Sequence, residues 1–193
     1  MGKYSSYIVF FILSLFFIYS CSENYTPKPR GYFRIDLPPK AYTLFDTTFP
    51  YEFEYSAYAK IVPDTMPGSE PYWINIVYPE FKGTIHVSYK MVRGNLEQYL
   101  EDSRTFVMKH IPKADAINDS LIFIPDRKVY GLLYDIEGSE AASPCQFFVT
   151  DSTTHFLRGA LYFNIIPNND SLAPVIGYIR QDILHMLKTF RWK

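Results

Sequence analysis

Cysteine is nearly absent from this sequence: Cys21 and Cys145 are the only two among 193 residues. If Cys21 is modified, Cys145 is left without a partner, and no intramolecular disulfide can form. The sequence also has no cluster of cysteines that could hold a zinc ion. We therefore expect a fold without a disulfide or metal staple, held together by its hydrophobic core.

An excess of charge of one sign is also lacking. Lysine and arginine number 19, aspartate and glutamate number 20, and the formal net charge is −1. Domains that bind nucleic acids usually carry a basic patch or stripe. The balance of charge argues against that class of protein, and we expect no nucleic-acid partner.

Motifs that hold metals or phosphates are missing as well. Four histidines are scattered along the chain without HxH or HExxH spacing: His86, His110, His155 and His185. Zinc needs three or four convergent nitrogen or sulfur ligands, and no glycine-rich phosphate loop is present. We expect no metal site and no cofactor.

The sequence offers no convincing nucleophile. It contains no G-x-S-x-G motif of the kind that exposes a catalytic serine. Asp151, Ser152 and His155 could form a triad on paper, but such neighbours in one turn usually bond their own backbone. Cys145 opens an apolar strand and is expected to pack as a small hydrophobic residue. We therefore predict no catalytic residue and no enzymatic activity.

No hydrophobic run is long enough to cross a membrane. The uncharged run from Tyr7 to Tyr19 follows Lys3 and falls short of the roughly 20 helical residues that a bilayer core requires. Its length and positive start are typical of a secretory signal. The run ends in Ile18-Tyr19-Ser20-Cys21, which resembles a bacterial lipobox. We predict a lipoprotein signal peptide over residues 1–20; the alternative is an uncleaved anchor with an incidental cysteine.

Lipidation at Cys21 would fix the protein to a membrane. A bacterial lipoprotein carries two or three acyl chains such as palmitate; one chain binds only marginally, whereas two or more hold firmly. Ser22 follows the cysteine where an aspartate could stand, which resembles the signal of lipoproteins sent to the outer membrane. We expect a lipid-anchored protein of the cell envelope, with the outer membrane facing the periplasm favoured over the inner membrane.

Residues 21–40 are predicted to form a lipidated tether. The segment is rich in proline, which forces extended backbone. Its PRGYFRIDLP stretch alternates charge and apolar bulk, and we expect its second half to dock on the domain or on a partner. The candidate partner-binding residues are Arg30, Tyr32, Phe33 and Arg34.

Residues 41–193 are predicted to form one globular domain. Strand patterns lie at 51–58, 72–78, 84–90, 121–124, 128–138, 145–150 and 155–163, and a loop is predicted at 60–71. Helices are predicted over 95–111 and 174–190, with a stripe of Leu96, Tyr99, Leu100, Phe106, Val107 and Ile111 buried on the first. Asn95 and Gln98 suggest a capping box on that helix, and Pro174 suits the first turn of the second.

This order of elements predicts an α+β fold. An antiparallel β-sheet would pack with two main α-helices on one or both of its faces, and the order is similar to that of Mog1/PsbP-like sandwiches. The loop GSEAASP at residues 138–144 lies beside an aromatic segment; it is either a recognition loop or a plain connection.

Three segments together resemble a known family. YTPKPRGYFRIDLP follows Cys21, SPCQFFVTDSTTHFLRGALYF spans 143–163, and YIRQDILHMLKTFRWK ends the chain. They resemble the gliding-motility lipoprotein GldD family of Bacteroidota. The resemblance implies a membrane-anchored, non-catalytic accessory or assembly component of the gliding machinery, linked to type IX secretion, with other envelope proteins as partners. Only Cys21 carries over, as the lipidation site.

A second function remains open from the sequence alone. A periplasmic carrier would hold an apolar ligand in a pocket between sheet and helices, and a cavity above about 300 Å³ lined by Phe and Tyr would favour it. A hydrolase would need a serine or cysteine beside a histidine in a cleft.

Overall fold

Ten strands and two long helices build the part of the chain that the computed structural model describes, residues 35–193. The helices are α1 Leu96–Met108 and α2 Asn169–Thr189. The strands are β1 Tyr42–Phe45, β2 Tyr51–Ser56, β3 Lys60–Pro63, β4 Ile74–Tyr78, β5 Gly83–Met91, β6 Ala116–Ile124, β7 Val129–Glu137, β8 Cys145–Thr150, β9 His155–Phe163 and β10 Arg191–Trp192.

The strands form two antiparallel sheets. The main sheet has the order β3-β4-β5-β9-β8-β7-β6, and the small sheet has the order β1-β2-β10. Short connections join β4 to β5, β6 to β7 and β8 to β9, so neighbours in the chain are mostly neighbours in the sheet. The predicted α+β class with an antiparallel sheet and two helices is confirmed, although the strands divide between two sheets.

The larger core lies between the main sheet, the small sheet and α2. Strand residues at alternate positions enter it, as Ile85 and Val87 do on β5, because successive side chains point to opposite faces. Helix α2 contributes Ile179, Ile183 and Leu187 from one stripe. Each fully buried side chain of this size contributes about 1.5–3 kcal/mol of hydrophobic free energy.

Helix α1 covers the opposite face of the main sheet. Its Val107 is buried against Tyr134, Phe148 and Phe156 of strands β7, β8 and β9. On β5, the strand next to β9, His86 is exposed on this face. The two helices therefore lie on opposite faces of the sheet, and α1 leaves part of its face open.

Several predicted boundaries were wrong. Residues 60–71 were expected to be a loop, but β3 pairs with β4 there, from Lys60 opposite Val77 to Pro63 opposite Ile74. The short strands β1 and β10 were not predicted. Each of the three strands is extended because it pairs with a neighbouring strand. A local sequence pattern of four or fewer residues does not reveal such a pairing.

The helix ends also differ from those predicted. Asn95 does not cap α1 through its side chain; its Oδ1 instead accepts the Arg93 N–H at 2.8 Å, and its Nδ2 donates to the Tyr99 hydroxyl at 2.9 Å. The predicted buried stripe is wrong at Phe106 and Ile111, which are 44% and 57% exposed. Helix α1 ends before Ile111, and it packs on the sheet through the other residues of the stripe: Leu96, Tyr99, Leu100 and Val107.

Helix α2 begins five residues before the expected proline, at Asn169. The side-chain amide of Asn169 donates to the carbonyl oxygens of Gly138 (2.8 Å) and Ala141 (2.9 Å). These tertiary bonds hold an additional turn ahead of Pro174, which sits inside the helix and not in its first turn.

Candidate functional site

The end of the tether is attached to α2. Ile35 is partly buried against the larger core. The Lys40 ammonium donates to Oδ1 of Asp182 and to the carbonyl oxygen of Tyr178, both at 2.7 Å, and lies 3.2 Å from the centre of the Tyr178 ring. We call the group of Ile35, Lys40, Tyr42 and Asp182 the tether junction.

Asp182 is the buried acid of this junction, and its side chain is only 2% exposed. A carboxylate at this depth requires partners, because an unpaired buried charge is very costly. Besides Lys40, it accepts the Tyr42 hydroxyl at 3.3 Å and the Tyr78 hydroxyl at 3.2 Å. The carboxylate is therefore surrounded by one cation and two hydroxyl donors.

The same environment holds the tyrosines in their neutral form. Burial first, and the Asp182 charge second, raise the pKa of Tyr42 to about 12. The pKa of Tyr78 is raised for the same two reasons. A tyrosinate beside the carboxylate would place two negative charges in contact, so these hydroxyls keep their protons and serve as donors.

Tyr42 also ties β1 to the helix. Its ring stacks on His185 with centroids 3.6 Å apart and planes 7° apart. The His185 Nε2 lies 2.6 Å from Oε2 of Glu54 on β2. Strands β1 and β2 and helix α2 are thus joined at the point where the tether reaches the body.

The other reactive groups singled out from the sequence have structural roles. Cys145 is fully buried in the larger core, which confirms that it packs as a hydrophobic residue, and burial raises the pKa of its thiol. Asp151 confirms the predicted turn hydrogen bonds: its Oδ1 accepts the N–H groups of Thr153, Thr154 and His155 at 2.8–3.0 Å.

The four histidines bond to four different partners, and they do not converge. These partners are Asn75 for His86, Gln146 for His110, Tyr89 for His155 and Glu54 for His185. Within residues 35–193, no group of three His, Cys, Asp or Glu side chains is arranged to hold a metal ion.

The loop 138–144 fits the plain-connection alternative. Ala141 and Ser143 are buried, and the backbone carbonyls of Gly138 and Ala141 are held by the Asn169 side chain. The loop therefore supports the start of α2, as a connection does, and its exposed residues are Ser139, Glu140 and Ala142.

A cleft of about 350 Å³ lies where α1 leaves the sheet open. We call it the α1 cleft. Helix α1 contributes Tyr99, Ser103 and Phe106, while β9 contributes Phe156 and Arg158. Further lining comes from β5 and from Trp73, beside the start of β4. The cleft thus combines aromatic walls with one arginine.

Comparison with known proteins decides the family. Residues 22–192 match the family described as gliding motility lipoprotein GldD. The chain belongs to this family. The resemblance carried by the three sequence segments is thereby confirmed, and membership of a lipoprotein family places the chain at the cell envelope, anchored to a membrane.

No curated protein matches the chain. Among solved structures, it is similar to cyanobacterial PsbP (CyanoP) from Synechocystis sp. PCC 6803, a solution structure, with 13% identity and a TM-score of 0.49. That similarity covers 83% of this chain and 98% of the cyanobacterial one.

The residues predicted to anchor the chain and bind partners precede the described region. Cys21, Arg30, Tyr32, Phe33 and Arg34 all lie outside residues 35–193. Within those residues, no helix combines the length and the apolar character needed to cross a membrane.

Sequence reasoning missed the tether junction and the composition of the α1 cleft. One signal was present: Asp182 stands between Ile179 and Ile183 on the apolar stripe of α2, where a carboxylate needs a buried partner. Lys40 could not be identified as that partner, because 142 residues separate the two in sequence.

Proposed function

We propose that this chain is a lipid-anchored, non-catalytic accessory component of the gliding motility machinery, with a link to type IX secretion. The anchor is acylated Cys21, and the partners are other proteins of the cell envelope. Membership of the GldD family supports the motility role.

The tether junction is the observation that carries the proposal. Lys40 and Ile35 bind the end of the tether to the body, and only 14 residues separate Cys21 from Ile35. A chain extends by at most about 3.5 Å per residue, so Ile35 can lie no more than about 50 Å from an acylated Cys21. A protein held at this distance is suited to contacts with membrane-bound partners.

A non-catalytic role is supported by the structural contacts that the potentially reactive side chains make. Cys145 is buried, Asp151 is occupied by backbone N–H groups, and Asp182 is paired with Lys40. In the described residues these groups stabilise the fold. A serine after Cys21 supports the outer membrane, facing the periplasm, as the site of anchoring.

The partner-binding residues of the proposal are Arg30, Tyr32, Phe33 and Arg34. Arginine and tyrosine are enriched at the energetic centres of protein interfaces. The four residues immediately precede the tether junction. A partner that binds them would therefore contact a segment whose C-terminal end is fixed to the domain.

In-cell cross-linking of the full-length protein, followed by mass spectrometry, tests this assignment. The fourfold variant Arg30→Ala, Tyr32→Ala, Phe33→Ala and Arg34→Ala keeps Ile35 and Lys40 and should stay folded and anchored. It is expected to lose most cross-links to envelope proteins and to impair gliding. Thr26→Ala with Lys28→Ala is the matched control in the same tether and should retain both. Unchanged cross-links in the fourfold variant would contradict the assignment.

A second candidate function is the binding of a small apolar ligand. The larger core is filled by side chains such as Tyr51, Phe53 and Phe147, but the α1 cleft has a volume within the range of ligand sites, about 300–1,000 Å³. Its aromatic walls favour this function. Ligand-observed NMR of the mature protein with a small aromatic probe tests it, and the absence of any binding would overturn it.

A further inference from the structure

We infer that the α1 cleft binds a small organic anion with an apolar body, and that Arg158 binds its acid group. This inference rests on the second candidate function, ligand binding in the cleft, and is independent of the motility role. It is based on the fixed orientation of the Arg158 guanidinium, on its position among aromatic side chains and on its lack of an ion pair within the described residues.

The walls of the cleft suit the apolar part of such a ligand. Phe156 is buried beneath α1, where it packs with Val107 and Phe148. The Trp73 indole is held in place because its Nε1 donates to the carbonyl oxygen of Tyr89 at 2.8 Å. Phe106, by contrast, is 44% exposed and can contact a bound group on the helix side.

Arg158 is held in one orientation. Its Nη2 donates to Oε1 of Gln146 at 2.5 Å, and its Cζ lies 4.6 Å from the centre of the Phe106 ring. Gln146 is itself 1% exposed, and its Nε2 donates to Nε2 of His110 at 3.0 Å. Because a guanidinium can only donate hydrogen bonds, the carbonyl oxygen of Gln146 must point to Arg158, which leaves the amide nitrogen for His110.

His110 keeps this arrangement when it is neutral. Its Nε2 accepts a hydrogen bond from Gln146, which a protonated Nε2 could not do. Burial, and secondarily the Arg158 charge, lower the pKa of His110. The guanidinium is therefore positioned before any ligand arrives, which reduces the entropy lost on binding.

Arg158 forms no ion pair with any carboxylate of residues 35–193. A guanidinium has five N–H donors, and a planar acid group can accept two of them at once. Burial lowers the pKa of Arg158, and only Tyr162 opposes this effect. A partly buried cation without an anion is costly, and a ligand carboxylate would relieve that cost.

Three other charged groups line the cleft, one lysine and two carboxylates: Lys90, Asp64 and Asp102. Lys90 pairs with Glu70 and lies 5.4 Å from the centre of the Trp73 ring. Oδ1 of Asp64 accepts the Met66 N–H at 3.0 Å, which orients this carboxylate but leaves its negative charge.

His86 also has a partner, since its Nδ1 donates to Asn75. Asp102 is an exposed acid on α1. Solvent and salt screen charges on an open surface, so Asp102 and Asp64 are expected to weaken the attraction of an anion without reversing it.

The test uses two probes of nearly equal shape and different charge, phenylacetate and phenylacetamide. Their dissociation constants are measured by ligand-observed NMR on the mature acylated protein in nanodiscs, with empty nanodiscs as the blank. We expect phenylacetate to bind at least about 10-fold more tightly than phenylacetamide, and 2-phenylethylammonium to bind more weakly than either.

Variants assign the effect to Arg158. Arg158→Gln should reduce the affinity for phenylacetate to that for phenylacetamide, whereas Arg104→Gln, at an exposed position of α1 outside the cleft, should leave both unchanged. If Arg158→Gln does not fold, Asp102→Asn provides the second measurement. It should tighten phenylacetate binding about two- to threefold and leave phenylacetamide binding as it was.

Each remaining outcome is decisive. Equal affinities for the two probes would overturn the inference and leave the second candidate function standing. Absence of binding by both would overturn the two together. Charge selectivity that persists in Arg158→Gln would show that Arg158 is not the acid-binding residue, and selectivity that does not respond to Asp102→Asn would show that the anion is not bound in the α1 cleft.

Discussion

The ammonium nitrogen of Lys40 lies 2.7 Å from Oδ1 of Asp182, which joins the end of the proline-rich tether to the middle of α2. The pair is asymmetric: the Lys40 side chain is 26% exposed, whereas that of Asp182 is 2% exposed. Loss of the lysine would leave the carboxylate in place with only hydroxyl donors around it.

The Lys40→Met variant should therefore be less stable. We expect a loss of about 1–3 kcal/mol, below the full cost of orphaning a buried charge because Lys40 is partly solvated. Urea unfolding measures the change, with Lys60→Met, an exposed lysine on β3, as the control. Adding Asp182→Asn to Lys40→Met should recover part of the loss, and equal stability of the Lys40 and Lys60 variants would contradict the assignment.

Stability should fall in alkali because of the junction tyrosines. The pKa of Tyr42 is raised to about 12 by burial and by Asp182, above the ordinary value near 10. A raised pKa contributes stability that is complete below pH 10 and is lost as the pH rises toward 12. Tyr42→Phe should flatten this loss, as measured by urea unfolding at increasing pH. An unchanged slope would count against the proton-holding role of Tyr42.

The β8–β9 turn depends on the Asp151 carboxylate. Burial alone would raise its pKa, but the N–H groups of His155, Thr153 and Thr154 lower it below the usual value. A lowered pKa contributes stability above the usual titration range and loses it as the pH falls through the folded value. Asp151→Ala should cost about 1–2 kcal/mol at neutral pH, and Asp151→Asn should cost less. The difference between wild type and Asp151→Ala should shrink in acid; a constant difference would oppose this explanation.

Two glycines give opposite expectations. A Cβ on Gly131 would lie 1.9 Å from the carbonyl oxygen of Phe148 on the adjacent strand, whereas a Cβ on Gly177, within α2, meets nothing within 4 Å. Gly131→Ala should destabilise the protein by more than about 2 kcal/mol, and Gly177→Ala should stabilise it by about 0.5–1 kcal/mol. Thermal unfolding compares the two, and a stable Gly131→Ala protein would contradict the close strand contact.

Strong local periodicity was sufficient to predict much of the fold. Strands β8 and β9 have the predicted bounds, Cys145–Thr150 and His155–Phe163, because apolar residues and a four-residue turn define them locally. Elements that depend on distant partners were not predictable in this way. Strand β3 needs β4, and the first turn of α2 needs the carbonyls of Gly138 and Ala141.

The candidate sites also differ in whether the sequence alone could predict them. Cys21 could be predicted because a lipobox is a short local motif. The α1 cleft could not, since Phe106 was assigned to a buried stripe and Arg158 had no known neighbour. Their contact depends on where α1 crosses the sheet, which no local pattern specifies.

Metabolic labelling with an alkyne-bearing palmitate tests the central claim, anchoring through acylated Cys21, most directly. The protein is purified from labelled cells as wild type, as Cys21→Ser and as Cys145→Ser, the last being the matched control at the other cysteine. The account predicts label on the wild type and on Cys145→Ser, and none on Cys21→Ser. Equal labelling of Cys21→Ser, or an unlabelled wild type, would contradict it.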